Sequence, residues 1–327
     1  MNESPVSPPT QDKTQRPPGV FLRGLAMGAA DVVPGVSGGT IAFITGIYVR
    51  LLDAISAFPK AFFTELLKGR WAAFWRNIDG TFLIALFAGI LTSVATLAGV
   101  IKYALQAHPV LLWSFFFGLI LASAWYVGRE IDRWSLRQGI LLVAGMLFAW
   151  LITQLTPGQA PVTSLSLFGA GALAICAMIL PGISGSFILL ILGMYGPVLG
   201  AINEMQLDRL ALFVTGCAVG LLSIAQLLSW AFSRYRDAML ALLTGFMLGA
   251  LNKVWPWKEA LTWRTSSHGE RVPLEEINLL PATYAEVTGN SAALVPAILL
   301  AVLGIVLVLG LDWAGRFVRE KRGSESP

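Results

Sequence analysis

Charge is scarce in this chain: 13% of its 327 residues are Asp, Glu, Lys or Arg, while 56% are hydrophobic and the mean hydropathy is +0.70. A soluble protein of this length needs a more charged surface, so an ordinary water-exposed globule is excluded. Cysteine is nearly absent. Cys176 and Cys217 both lie in apolar stretches and read as small packing residues, with no disulfide framework. Histidine is equally rare. His108 and His268 stand far apart, and no His, Cys and carboxylate group has metal-ligand spacing, so neither a metal nor another cofactor is expected. The net charge of +4 does not imply a nucleic-acid partner. Residues 1–19 are polar and proline-rich, without the apolar run and small-residue cleavage site of a signal peptide, and read as a disordered cytoplasmic tail. No polar segment is long enough to hold a separate catalytic core.

What the chain has instead is long apolar runs. Six stretches, roughly 81–103, 110–127, 138–155, 209–231, 238–254 and 292–312, are candidates to cross a bilayer, some near the short end of the spanning range of about 17–25 residues. Two further regions, 20–56 and 165–202, are each a pair of apolar helices interrupted by Pro-Gly-x-Ser-Gly. The first helix of each pair is too short to span comfortably. The expected fold class is an all-α polytopic membrane protein, with about six transmembrane helices plus two re-entrant helical hairpins. A first repeat covers 20–155: hairpin 20–56, an interfacial segment 57–80 that mixes Trp and Phe with basic residues, and three spans. A second covers 165–312: hairpin 165–202, three spans, and an outer loop 255–291 whose Trp255, Trp257 and Trp263 are expected at the membrane interface. Residues 313–327 form a basic cytoplasmic tail. With both termini inside, 17 of the 23 Lys and Arg fall on the cytoplasmic side and six outside, as the positive-inside rule requires of an inner-membrane protein. Two full spans in place of each hairpin give the same count.

The two interruptions are copies. Residues 34–48 read PGVSGGTIAFITGIY and residues 181–195 read PGISGSFILLILGMY, with Pro34/Pro181, Gly35/Gly182, Ser37/Ser184, Gly38/Gly185, Gly46/Gly193 and Tyr48/Tyr195 identical in register at an offset of 147. Three spans separate the hairpins, and an odd number turns the second half over. The halves then form an inverted repeat with oppositely oriented hairpins, the architecture of alternating-access transporters.

Breaking a helix inside a membrane frees backbone groups that must be buried in protein or line a wet cavity. Pro34 and Pro181 stop the first helix, Gly35 and Gly182 supply the turn, and Ser37 or Ser184 can cap the second helix. The N–H groups of Gly38, Gly39 and Thr40, and of Gly185, Ser186 and Phe187, then point at the tip as an anion cradle suited to phosphate. The competing reading is tight turns whose glycines only let helices pack; Gly24/Gly28, Gly216/Gly220 and Gly245/Gly249 read that way. Asp31 ends the first hairpin helix, where the dipole disfavours a carboxylate, and its counterpart is Met178. It reads either as a coupling site for protons or Na⁺ or as a cap on nearby N–H groups. Arg23 is a partner for Asp31, a phosphate contact, or a positive-inside anchor. Ser223 and Gln226 read as helix glue, and the Arg129–Arg133 stretch as a solvated cytoplasmic turn.

DVVPGVSGGTIAFITGIY at 31–48, followed by ILPGISGSFILLILGMY at 179–195, resembles the signature of a bacterial family of polyprenyl-phosphate transporters, the PopT type of undecaprenyl-phosphate translocase. The resemblance covers roughly 19–315. It implies a carrier that returns undecaprenyl phosphate from the outer to the inner leaflet for reuse in envelope-polymer synthesis, with that lipid and the surrounding membrane lipids as its partners. A membrane phosphatase of the bacitracin-resistance type is a rival. Its motif, however, has an Arg after the Ser, where this chain has Gly38 and Gly185, and this chain has no paired-glutamate motif in its spans. A transporter of a small soluble anion is the other rival.

Overall fold

The computed structural model describes residues 17–324, apart from 34, 156, 157, 159, 160 and 266–270; side chains are described outside 263–275 and, beyond 310, at Trp313 alone. Pro34 therefore lies outside the described residues, as do His268 and the side chain of Trp263.

The chain is mostly helical. The first hairpin region comprises α1 (Pro17–Asp31), α2 (Gly38–Ile44) and α3 (Tyr48–Ser56). Pro17 and Pro18 occupy the first turn of α1, where a missing N–H costs nothing, so 17–19 are helix rather than tail. Two short helices, α4 (Phe58–Thr64) and α5 (Trp71–Asn77), replace the single interfacial segment. They and the short turn between them leave Phe63, Leu67 and Trp71 exposed. Next come α6 (Gly80–Ala107), α7 (Pro109–Gly128) and α8 (Leu136–Gln154). The second half repeats the pattern with α9 (Ser164–Ile179), α10 (Gly185–Ile191), α11 (Tyr195–Asn203), α12 (Leu207–Arg234) and α13 (Arg236–Ala250). A capping box between Thr163 and Ser166 starts α9.

Among the described residues, helices α6, α7, α8 and α12 are long and apolar enough to cross a membrane, and the count reaches six if each bent pair forms one span. The protein is a multi-pass membrane protein. Helix α13, with 15 residues, is shorter than a standard span. The last helix, α15 (Leu294–Ser324), runs on through most of the segment expected as a tail.

The all-α expectation needs one correction. The 255–291 connection folds as an antiparallel hairpin, β1 (Lys258–Thr265) with β2 (Arg271–Asn278), followed by α14 (Pro281–Thr288). An isolated two-stranded hairpin is marginal, and this one is docked. The Trp255 indole donates to Leu279 O and the Trp257 indole to Ala292 O, each at 2.8 Å. Trp257 is buried against Tyr284 and Ala297. Trp255 packs on Phe117 of α7 and Trp257 on Ala297 of α15, which ties the loop to the helices.

Four helix crossings are set by glycines facing backbone. A Cβ on Gly24 of α1 would sit 2.2 Å from Leu86 O of α6, and one on Gly216 of α12 would sit 2.0 Å from Phe168 O of α9. Gly118 of α7 meets Ala301 O of α15 at 2.0 Å, and Gly245 of α13 meets Leu142 O of α8 at 2.1 Å. Only a residue without a side chain permits such contact, which in a bilayer supplies the packing that hydrophobic exclusion cannot. Gly28, Gly220 and Gly249 also face carbonyls, at 2.7, 2.5 and 2.3 Å from an added Cβ, as the packing reading expects. Ser223 and Gln226 are exposed on α12. The Arg129–Arg133 turn is pinned by Arg236, 3.1 Å from Glu130 and 3.3 Å from Asp132. The core lies where these crossings converge on α2 and α3, with Ile47, Leu52, Phe82, Leu86, Ile120, Leu243 and Met247 fully buried.

Candidate functional site at two facing helix breaks

Each interrupted region contains two bends, one more than the motif suggests. The first follows Pro-Gly. Gly182 has φ 88° and Ile183 N–H donates to Leu180 O at 3.4 Å; Gly35 has φ 86° and Val36 N–H donates to Val33 O at 3.1 Å. A positive φ at the third turn position with proline before it is the demand of a type II turn. The second bend is at Gly46 and Gly193. There α2 meets the helical stretch from Tyr48 at 113°, and α10 meets α11 at 107°.

The two breaks pack against each other. Ser37 Oγ donates to Met178 O (3.1 Å) and Leu180 O (3.2 Å), carbonyls left over at the end of α9. Gly182 N–H donates to Thr40 Oγ1 at 3.2 Å. Gly39 lies so close to Ile179 O that a Cβ would approach it to 2.5 Å. The start of α2 thus abuts the end of α9, pairing a positive helix terminus with a negative one.

The expected tip N–H groups of the first break are already engaged. Gly38 N–H donates to Asp31 Oδ1 at 2.7 Å, Gly39 N–H to Ser37 Oγ at 3.1 Å, and Thr40 N–H to Ser37 O at 3.0 Å. Asp31 sits where an anion would bind, which is the capping reading of that residue. Its carboxylate also fills the space over Gly38, where a Cβ would meet it at 2.5 Å. The second break differs. Ser184 makes no capping bond to α10; its hydroxyl pairs with Ser186 Oγ at 2.9 Å. Gly185 packs on Ala174 O within its own hairpin. Arg23 is drawn to the far end of α2, donating to Thr45 O at 3.3 Å and to Gly19 O at 3.0 Å.

Beside the second break is a cavity of about 10 Å³, lined by Gly35, Gly182, Ser184, Phe187, Thr153 and Lys253 among others. Lys253 is the residue that the motif-based reading missed. It follows α13, its side chain covers Gly35 (a Cβ there would be 2.9 Å from Lys253 Cγ), and its ammonium lies 5.0 Å from the Phe187 ring centroid. It therefore touches both breaks. Glu276 on β2 holds it with an Nζ–Oε2 distance of 2.9 Å. A second lysine, Lys258, stands behind: its Nζ is 3.8 Å from Glu276, 3.7 Å from the Trp113 ring centroid, and bonded to Lys253 O. Burial pushes the Lys258 ammonium down to about 8, against the upward pull of Glu276 and with the downward push of Lys253. Burial alone would raise the Glu276 carboxyl, but Lys258 and Lys253 outweigh it and hold it below the usual carboxylate range. Neither motif contains a cation, so the only hint in sequence is a lysine closing the apolar run of α13.

Broken helices meeting inside a bundle of apolar spans, with a lysine laid across the junction, define a helical membrane protein built around a buried polar site. The chain belongs to the undecaprenyl phosphate translocase-like family: the family model described as VCA0040-like, undecaprenyl phosphate translocase-like, matches residues 27–272. A protein of Vibrio cholerae serotype O1 named polyprenyl-phosphate transporter is 52% identical over 300 residues, covering 92% of this chain and 97% of the relative. A Staphylococcus aureus protein of the same name is 33% identical over 255 residues, covering 72% and 85%. Both relatives carry the name of a transporter, not of an enzyme. No solved structure matches the chain.

Proposed function

We propose that this protein transports undecaprenyl phosphate, the C55 lipid carrier, across the bacterial cytoplasmic membrane, returning it from the outer to the inner leaflet for reuse in envelope-polymer synthesis. Both termini are cytoplasmic in this reading, and the Lys253 side faces outward. The names of the two relatives support the substrate class.

The observation that carries the mechanism is the asymmetry between two copies of one motif. Ser37 bonds across to the end of α9, whereas among the described residues the Ser184 hydroxyl pairs with Ser186, and a cavity borders Ser184. Two equivalent seams, one bonded across and the other bordered by a small cavity, are the kind of asymmetry that alternating access asks of an inverted repeat. The glycine crossings support the repeat, since Gly24 and Gly171 keep the 147-residue offset and each faces a carbonyl, of Leu86 and Phe213. Ser184, Gly185 and Ser186 with Lys253 would receive the phosphate on one side. Ser37, Gly38, Gly39 and Thr40 would receive it on the other once Asp31 releases the α2 terminus. Asp31 then couples the cycle to a proton or Na⁺, because neutralising the carboxylate weakens its bond to Gly38 N–H.

The test is transbilayer movement of a fluorescent polyprenyl phosphate in proteoliposomes, with free phosphate followed in the same sample. Movement without phosphate release supports the reading. Phosphate release would make the protein a phosphatase, and neither event from folded protein would refute a lipid substrate. An Asp31→Asn protein with unchanged rate and unchanged pH dependence would refute the coupling role.

A further inference from the structure

The Lys253–Glu276–Lys258 cluster is out of charge balance. Two lysines share one carboxylate, so among the described residues this mostly buried group carries a net charge of +1. Glu259, next to Lys258 on β1, belongs to the opposite face of the strand. An uncompensated buried cation is costly, and the cost falls when an anion arrives. The surplus charge is also placed for use. Lys253 lines the cavity at the second break, with Ser184 and Thr153 as hydroxyls and Gly182 as close backbone. A cavity of about 10 Å³ has room for roughly one water and none for a phosphate. Its occupant can enter only if Lys253 swings away from Gly35 and Glu276.

We propose that Lys253, backed by Lys258, is the recognition site for a phosphate monoester headgroup at the outward mouth, and that Glu276 on the β-hairpin is a built-in counter-ion which the headgroup displaces. This rests on the reading of the protein as a polyprenyl-phosphate transporter and adds the residues that choose the headgroup. The glutamate holds the lysine in place while the site is empty. An arriving phosphate, which offers more acceptor oxygens than a carboxylate, takes over the ammonium. The hairpin strand bearing Glu276 is then freed to move. Glu276 is thus a positioning residue, and the two substitutions must act with opposite sign.

The experiment is calorimetric binding of farnesyl phosphate to the purified full-length protein in detergent, with inorganic phosphate as a second probe. Lys253→Gln is expected to weaken farnesyl phosphate binding at least tenfold, Lys253→Arg to retain most of it, and Glu276→Gln to tighten it several-fold. A purely structural ion pair predicts that K253Q and E276Q weaken binding alike, in step with a lower melting temperature; that result, or binding unchanged in both, overturns the proposal. E276Q decides the matter even if K253Q fails to fold, since tighter binding has no structural explanation. Inorganic phosphate should compete more weakly, with the same dependence on Lys253. If it binds as tightly as farnesyl phosphate, the site serves a soluble anion and the lipid headgroup is ruled out. Wild-type protein that binds neither probe refutes the transport reading itself, whereas wild-type binding that ignores Lys253 refutes this site alone.

Discussion

An alanine at Gly39 would put its Cβ 2.5 Å from the carbonyl oxygen of Ile179, and relief requires the two breaks to part by roughly 1 Å, since ordinary contact begins near 3.4 Å. The Ser37 bonds to Met178 O and Leu180 O, now 3.1 and 3.2 Å, would then exceed hydrogen-bonding distance. Overpacking costs about 1–3 kcal/mol, and the stranded hydroxyl and carbonyls add about 1 kcal/mol or more. Gly220→Ala is the matched control: its Cβ would meet Ala172 O at the same 2.5 Å, at the α9–α12 crossing away from the breaks. Both proteins should melt several degrees below wild type by intrinsic fluorescence in detergent. Compared at equal amounts of folded protein in proteoliposomes, Gly39→Ala should lose lipid-phosphate transport at least tenfold beyond Gly220→Ala. Equal transport by the two would refute the idea that the junction of the breaks is the moving seam.

Three further outcomes are expected. The Tyr48 hydroxyl is buried with no hydrogen-bond partner among the described residues, so Tyr48→Phe should leave the melting temperature unchanged or raise it; a clear fall would show that the hydroxyl has a partner in the folded protein. Arg50 pairs with Asp79 at 2.7 Å and lies 4.3 Å over the Phe82 ring, so Arg50→Met should destabilise by about 2 kcal/mol, read as a lower melting temperature. Lys258, faced by Glu276 and Lys253, binds its proton less tightly when folded than its ordinary 10.5. The unfolded chain therefore holds more protons between about pH 8 and 10.5, and stability should rise with pH across that window and be flat just below it. Melting curves of wild type against Lys258→Met test this; the same upward trend in the variant would refute the assignment.

Much of this protein is written locally. The apolar runs of α6, α7, α8 and α12 need only their length and lack of charge to become spans. The Pro-Gly pairs give their turns because proline and a glycine with φ near 87° favour that geometry wherever they occur. The glycines of the helix faces announce close crossings, and the structure delivers them. The second bends at Gly46 and Gly193 were also in view, as glycines duplicated in register, although a lone glycine does not by itself say turn. The β-hairpin was harder to read, because two strands are marginal until Trp255, Trp257 and Lys258 dock them.

Tertiary structure decided the rest. Ser37 and Ser184 occupy identical motifs, yet one binds carbonyls 141 and 143 residues away and the other binds a neighbour two residues on. One local difference serves Ser184, since Ser186 stands where the first motif has Gly39; the helix end that lies opposite Ser37 is set by packing. Asp31 became a cap on Gly38 only because the turn between them folds back. The cation that both motifs lack is brought to them from beyond α13 and fixed by a glutamate 23 residues further on. Segments, turns and close-packed faces follow from sequence because the forces that make them act over a few residues. The charge at the junction of the breaks follows from three-dimensional packing, because a buried lysine is held by whichever carboxylate the fold brings within about 3 Å of it.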